Sequence, residues 1–283
     1  MSVGGARLIH KGPAKGITMI TTDFVPGSPC WLDLGVRDVA AAAAFYGSVF
    51  DWELQSYGPD AGGYGVLRLN GKAVGAVGPL TEEGARSAWM PYFNTPDADA
   101  AAKAVEQLGG TVRVAPLDAD GEGRMAQFTD PRGAQFAVWQ PGKSKGLEAV
   151  DEPGALSWTE LYTTDAAGAK EFYGALFGWR TEDMPLPGGP EGTYSIITPA
   201  GLGPERMQGG LMEVPAQSLG LNGGRPYWHP VFGSADCDAT VARVTGNGGS
   251  VQMGPDDAEG VGRLAVCIDP FGADFVVLTP SGT

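Results

Sequence analysis

Two stretches decide how this chain folds. WLDLGVRDVAAAAAFYGSVFDW begins at Trp31, and WTELYTTDAAGAKEFYGALFGW begins at Trp158, 127 positions later. Trp31, Phe45, Tyr46, Gly47, Phe50 and Trp52 of the first recur as Trp158, Phe172, Tyr173, Gly174, Phe177 and Trp179 of the second. Further along, Trp89, Gly109, Gly110, Pro116, Arg124, Asp130, Pro131 and Gly133 recur as Trp228, Gly248, Gly249, Pro255, Arg263, Asp269, Pro270 and Gly272, now at an offset of 139. The chain is therefore a tandem duplication. Its second copy has gained 12 residues between Trp179 and Trp228.

Each copy is itself double. A short strand (WLDLGV) leads into a helix that begins at Asp38, a good N-cap. Val39, Ala42, Tyr46, Val49 and Phe50 follow at helical spacing. Three strands are then expected in 51–58, 63–70 and 72–80. WMPYFNT opens a second unit of the same order. Its helix is capped near Asp97 and stopped by Gly109-Gly110, and strands follow in 111–119, 123–130 and 134–141. YWHPVFGS, a helix over 236–248 and strands in 250–258, 262–269 and 273–280 take the same places in the second copy. The expected fold class is α+β: four βαβββ modules forming two cup-shaped curved sheets. A helix covers one face of each sheet, and alternating residues line the other. The domain plan is an extended arm over 1–28, a first domain over 29–141, a linker over 142–154 and a second domain over 155–283.

Composition narrows the function classes. The 283 residues include 45 Gly and 22 Pro, without a G-X-Y period and with apolar runs between the glycines, so neither collagen nor low-complexity disorder fits. Nineteen Lys and Arg against 33 Asp and Glu give a net charge of −14, which disfavours nucleic acid and anionic membrane surfaces as partners. No window of 18 apolar residues marks a membrane span. Cys30, Cys237 and Cys267, an odd set without C-x-x-C spacing, suit a reducing, cytoplasmic setting. The two histidines, His10 and His229, are too few for a multi-His metal centre or a Ser-His-Asp triad in each half. There is no nucleotide-binding glycine motif.

The modules, the strand-Asp-helix-FYG-x-x-F-x-W segments at 31–52 and 158–179, and DPRGAQF and DPFGADF at 130–136 and 269–275 resemble the vicinal oxygen chelate superfamily. This group includes glyoxalase I, bleomycin-resistance proteins and extradiol dioxygenases, and the tandem form resembles its two-domain actinobacterial members. The resemblance covers residues 29–280. It implies a divalent metal in each cup, held from the first and last strands of paired modules. Carried over by position, the ligands fall on Trp31 and Trp158, on Met90 and His229, and on Ala137 and Val276. The last position lies in KAVGAVGPL or QGGLMEV, where Glu213 is the single donor. Only His229 and Glu213 can ligate, so neither a metal nor another cofactor is expected.

Strand alternation turns Asp33 to the face of Trp31, and Glu160 to that of Trp158. A carboxylate beside an indole in an apolar cup has a raised pKa and suits acid/base work. The alternative is that each only closes the sheet, with Arg124 and Arg263 as partners. The catalytic candidates are Asp33, Glu160 and His229, and His229 favours the second cup if only one works. The ligand-binding candidates are Trp31, Trp158, Met90, Tyr92, Tyr162, Gln135 and Asp274. Tyr46 and Tyr173 fall on the helical stripe and are expected to pack. The loops MPLPGGPEG and PAQSLGLNGG are rim candidates.

The resulting expectation is an enzyme, of unspecified reaction class and without a metal, acting by acid/base chemistry on a small hydrophobic, aromatic or polyketide-like molecule. The protein would be a monomer or homodimer with no nucleic-acid or membrane partner. Two alternatives stand beside it: a non-catalytic protein that sequesters a drug or metabolite, and a metal-dependent glyoxalase- or dioxygenase-like enzyme centred on His229.

Overall fold

Each copy closes its two modules into one eight-stranded mixed sheet. The computed structural model describes residues 20–58, 62–80, 84–185 and 192–282. His10, most of the expected arm and most of the loop MPLPGGPEG lie outside them. The first module has β1 (Pro29–Val36), α1 (Val39–Phe50), β2 (Glu53–Ser56), β3 (Gly65–Leu69) and β4 (Lys72–Pro79). The second has β5 (Ala88–Asn94), α2 (Ala98–Gln107), β6 (Thr111–Asp118), β7 (Gly123–Thr129) and β8 (Gln135–Pro141). Copy two follows with β9 (Leu156–Thr163), α3 (Ala166–Phe177), β10 (Arg180–Pro185), β11 (Thr193–Thr198) and β12 (Gly209–Glu213). It ends with β13 (Tyr227–Gly233), α4 (Cys237–Gly246), β14 (Ser250–Ala258), β15 (Gly262–Ile268) and β16 (Asp274–Pro280). The α+β duplication and the four βαβββ modules are as the sequence predicts.

The four helices start alike. Asp38, Asp97, Asp165 and Asp236 each accept a hydrogen bond from the backbone N–H three residues on, at 2.9–3.0 Å, satisfying a donor that the first turn leaves open.

The first sheet runs β2-β3-β4-β1-β5-β8-β7-β6, and the second repeats this order as β10-β11-β12-β9-β13-β16-β15-β14. Sheet hydrogen bonding thus pairs modules within a copy, whereas the cores pair them between copies. Leu32, Leu34, Phe50 and Trp89 of copy one pack with Phe232, Val241 and Phe275 of copy two. Phe93, Phe128 and Phe136 of copy one pack with Phe172, Tyr173 and Trp228 of copy two. Strand alternation does this directly: Leu32, Leu34 and Val36 of β1 are buried in the shared core, while Trp31, Asp33 and Gly35 turn to the other, concave face.

The residues that recur in the repeat hold the two copies together. Tyr46 of α1 donates its hydroxyl to Asp269 of copy two (3.0 Å) and accepts from the Trp89 indole (2.9 Å). Tyr173 of α3 does the same toward Asp130 of copy one (3.1 Å) and Trp228 (2.9 Å). Both tyrosines pack as expected, and both also carry a buried hydrogen bond across the interface. Tyr46→Phe would leave the Trp89 N–H buried and unpaired, so it is expected to cost about 1–3 kcal/mol, read as a lower urea midpoint with an unchanged m-value.

The segments leading into β1 and β9 are also exchanged. Trp179 of copy two donates to the carbonyl of Gly27 at 2.9 Å, and Trp52 of copy one donates to that of Gly154 at 2.8 Å. Gly27 has φ +81°, and a Cβ there would sit 2.6 Å from the Trp179 indole nitrogen, so only glycine fits. Among the described residues no helix is long and apolar enough to cross a membrane. Cys30, Cys237 and Cys267 are buried and free.

Candidate functional site

The second cup gathers charge around a buried histidine. In β9, Trp158, Glu160 and Tyr162 alternate with fully covered neighbours, and Glu160 lies directly opposite His229 of β13. β16 runs parallel on the other side of β13 and brings up Asp274. His229 Nδ1 is 2.9 Å from Asp274 Oδ2, and its Nε2 is 3.1 Å from Glu160 Oε2. The side chains of His229 and Asp274 are 1% and 3% exposed, and that of Glu160 is 18% exposed. Tyr194 of β11 donates to Glu160 Oε1 at 2.6 Å, and the Trp158 indole donates to the Tyr194 hydroxyl at 2.8 Å. The Tyr162 ring lies edge-on to the imidazole at 4.6 Å, and that of Tyr227 at 5.7 Å.

With a carboxylate at each nitrogen, the ring is placed to donate twice, as an imidazolium. Burial works against the charged ring, but the hydrogen bonds and charges of Asp274 and Glu160 outweigh it and push His229 up to about 9. Burial alone would also raise Glu160, yet His229 and the Tyr194 hydroxyl hold it below the ordinary glutamate value. The His229 shift from 6.5 to about 9 is an upward one, so the stabilisation it carries is fully present below the unfolded value and is lost as pH rises through the folded one. Denaturant unfolding is therefore expected to show stability falling between about pH 6.5 and 9, in excess of any fall in a variant lacking His229.

The first cup carries the same positions with different chemistry. Asp33 corresponds to Glu160, Met90 to His229 and Gln135 to Asp274 by the repeat offsets. The Asp33 carboxyl accepts from Trp31 (2.9 Å), Tyr64 (2.8 Å) and Tyr92 (2.6 Å). Burial raises its pKa, and these three donors offset that only in part. Met90 lies with Trp31, Tyr92 and Met125 in an apolar lining. Gln135 stands apart, exposed and accepting from Arg113 at 2.9 Å.

The structure brings Asp33, Trp31, Tyr92 and Met90 together in cup one, and Glu160, His229, Asp274, Trp158 and Tyr162 together in cup two. It corrects two expectations. Arg124 and Arg263 do not meet the cup carboxylates; they bind Asp99 (2.8 Å) and Asp238 (2.6 Å) in the first turns of α2 and α4. The pKa of Glu160 is lowered and not raised, because an imidazolium outweighs the indole's surroundings. Val276, the position to which the resemblance carries the last ligand, packs with Val231 and Val266, and Asp274, already a candidate, lies two residues ahead of it. Sequence reasoning missed Tyr64 and Tyr194, the aromatic residues at the third strand of each copy. Their offset of 130 matches neither repeat phase.

The residues do not fit the divalent cation that the resemblance implies. The ring nitrogens of His229 point to carboxylates on opposite sides, so the three groups do not converge, and cup one offers Asp33, Met90 and Gln135 at the same places. Among the described residues no group of three or more His, Cys, Asp or Glu side chains could hold a metal ion. Glu213 instead accepts from the Ala166 N–H at 2.9 Å, at the start of α3.

Comparisons with known proteins agree with the architecture. A model of the glyoxalase/bleomycin resistance protein/dioxygenase superfamily matches residues 30–138 and again 155–277. The anthracycline biosynthesis protein DnrV of Streptomyces peucetius is 40% identical over 273 residues, spanning 91% of this chain and 94% of DnrV. Among solved structures, the 2,3-dioxygenase LapB from Pseudomonas sp. KL28 is similar with a TM-score of 0.62 and 14% identity, over 90% of this chain and 93% of LapB. The Mn(II)-bound glyoxalase from Novosphingobium aromaticivorans is similar with a TM-score of 0.59 and 18% identity, over 92% of this chain and 86% of that one. At such identities the structural likeness is one of fold alone.

Proposed function

Because this chain belongs to the glyoxalase/bleomycin resistance protein/dioxygenase superfamily and its second cup centres on Glu160, His229 and Asp274, we propose that it is a secondary-metabolism enzyme. It acts by acid/base chemistry, without a metal, on a small aromatic molecule of polyketide type. The hydrogen-bonded line of Glu160, His229 and Asp274 carries this reading.

The roles follow from exposure. His229 is too deeply buried to touch a ligand, whereas one edge of Glu160 reaches the cup. Glu160 is the proton acceptor and later the donor. His229 keeps it ionised and oriented, Asp274 anchors the far side of the ring, and Tyr194 fixes the other carboxylate oxygen. A carboxylate held below its usual pKa is a weak base, so the proton it takes must be acidic, as on a phenol or a carbon between carbonyl groups. Glu160 returns the proton elsewhere on the molecule, and no oxidant is needed. The tyrosines and Trp158 give the aromatic walls such a ligand stacks on. That DnrV is named for anthracycline biosynthesis supports the ligand class.

One observation favours a second reading, non-catalytic sequestration: both oxygens of Asp33, and both of Glu160, are already met by donors of the protein. Incubation with aromatic polyketides, followed by chromatography and mass analysis of the recovered ligand, separates the two. A changed ligand removes the sequestration reading. Tight binding with the ligand returned unchanged removes the enzyme. Turnover that stops in chelator and returns with a divalent cation would overturn the metal-free mechanism.

A further inference from the structure

The geometry points to Arg86, a residue of the first copy, as the group that completes the second cup by balancing its charge, so that the two copies build the working site together. This rests on reading cup two as that site. Arg86 lies in the segment ahead of β5 and crosses to the DP-x-G turn of copy two. Its Nη1 donates to the Gly272 carbonyl at 3.0 Å, and its Nη2 reaches Asp274 Oδ1 at 3.4 Å. The guanidinium carbon lies 6.0 Å from the centre of the Tyr227 ring.

Three observations carry the inference. First, Glu160 and Asp274 place two carboxylates on one imidazolium, an excess of one negative charge in a site where Asp274 is 3% exposed. An uncompensated buried charge is costly, and a single cation at Asp274 removes the excess. Second, Arg86 Nε is buried with no hydrogen-bond partner among the described residues, so the side chain is not placed to satisfy all of its own donors there. Third, the repeat supplies an internal control. Arg225, at the equivalent position 139 residues later, runs its stem past Gly133 of the other DP-x-G turn, where a Cβ would meet Arg225 at 3.7 Å. The residue two positions beyond that glycine is Gln135, not an acid, and it accepts from Arg113. An arginine thus approaches both turns from the opposite copy, and the acid is present at only one.

Arg86 acts through Asp274 and touches no reacting atom in this scheme, so it is a positioning residue. The charged and titratable groups facing the imidazole are Glu160 and Tyr162 of β9, Tyr194 of β11, Tyr227 of β13, and Asp274 with Arg86 behind it. Removing the arginine's charge leaves more negative potential at the ring.

The test is an NMR titration of the imidazole resonances in the full-length protein, with His229 told from His10 by a variant lacking it. Arg86→Gln retains hydrogen-bonding capacity without charge, and the His229 titration is expected to move upward by at least about half a pH unit. Arg86→Lys should leave it near the wild-type position. A titration that stays put or moves downward in Arg86→Gln, or a Lys variant that behaves like Gln, overturns the inference. The measurement needs no turnover. The expected shift in a protein that converts no ligand would count against the proposed enzyme alone, and conversion without the shift against Arg86 alone.

Discussion

Glu160→Gln is expected to lower turnover about 10²–10⁴-fold with ligand affinity changed by less than about threefold. Glutamine keeps the shape: its carbonyl oxygen can accept from Tyr194 while its amide N–H donates to Nε2 of a neutral His229, so the cup stays assembled. It cannot take a proton. The loss therefore falls on kcat, as it should for a group that acts in the transition state and not in ground-state binding. Asp33→Asn is the matched control. Asp33 faces Met90 where Glu160 faces a histidine, and among the described residues no cation pairs with it, so turnover should stay near the wild-type rate. Steady-state kinetics on the converted ligand decide the matter. If Asp33→Asn is inactive and Glu160→Gln active, the chemistry belongs to cup one.

The second large effect concerns stability. His229→Phe retains a ring of similar size but strands two buried carboxylates that lose their shared cation. Breaking a buried ion pair from one side costs about 3–5 kcal/mol, which for a chain of this size lowers the thermal midpoint by roughly 10 °C. The deficit has a signature that a packing defect lacks. Without the imidazolium, Glu160 loses the partner that holds its pKa below the ordinary value, and its protonation relieves the repulsion between the two side chains. The stabilisation that a lowered Glu160 carries is lost as pH falls through its folded value, so the difference from wild type should narrow below about pH 4.5. Thermal midpoints of both proteins compared near pH 6 and below about pH 4 measure it. A deficit below about 1 kcal/mol near pH 6 would mean that the three groups are not coupled as their distances indicate.

What could be read in advance has a physical pattern. The repeat was legible because its marker residues do work that few side chains can do. Tyr46 and Tyr173 each need a hydroxyl at the end of a ring, to reach an aspartate of the other copy. Trp52 and Trp179 each need a donor at the edge of a large apolar surface. Asp33 and Glu160 could be placed on the cup face by strand alternation alone. His229 and Asp274 could be named as candidates, but their meeting depends on the register between β9, β13 and β16, which spacing within one strand does not give. The Arg124 and Arg263 pairings were misjudged for a related reason: each lies on a strand whose nearest acid, 25 residues earlier, belongs to a helix and not to the sheet. Tyr64 and Tyr194 were hidden by the insertion in copy two. Arg86 was out of reach of any argument confined to one copy, since its partners lie 186 and 188 residues away.

The crossing of cores between copies has a consequence for what this protein was free to become. Two separate chains carrying one copy each, packed back to back in this way, would form a symmetric pair, and every substitution in such a pair is made twice. A histidine acquired in one cup would arrive in the other, with or without an acid and an arginine to receive it. Joining the copies in one chain keeps the mutual packing and ends that obligation. Glu160, His229, Asp274 and Arg86 could gather on one side while Asp33, Met90, Gln135 and Arg225 settled differently on the other. The covalent link between the copies thus does more than hold them near each other: it lets a twofold scaffold carry a site that exists once.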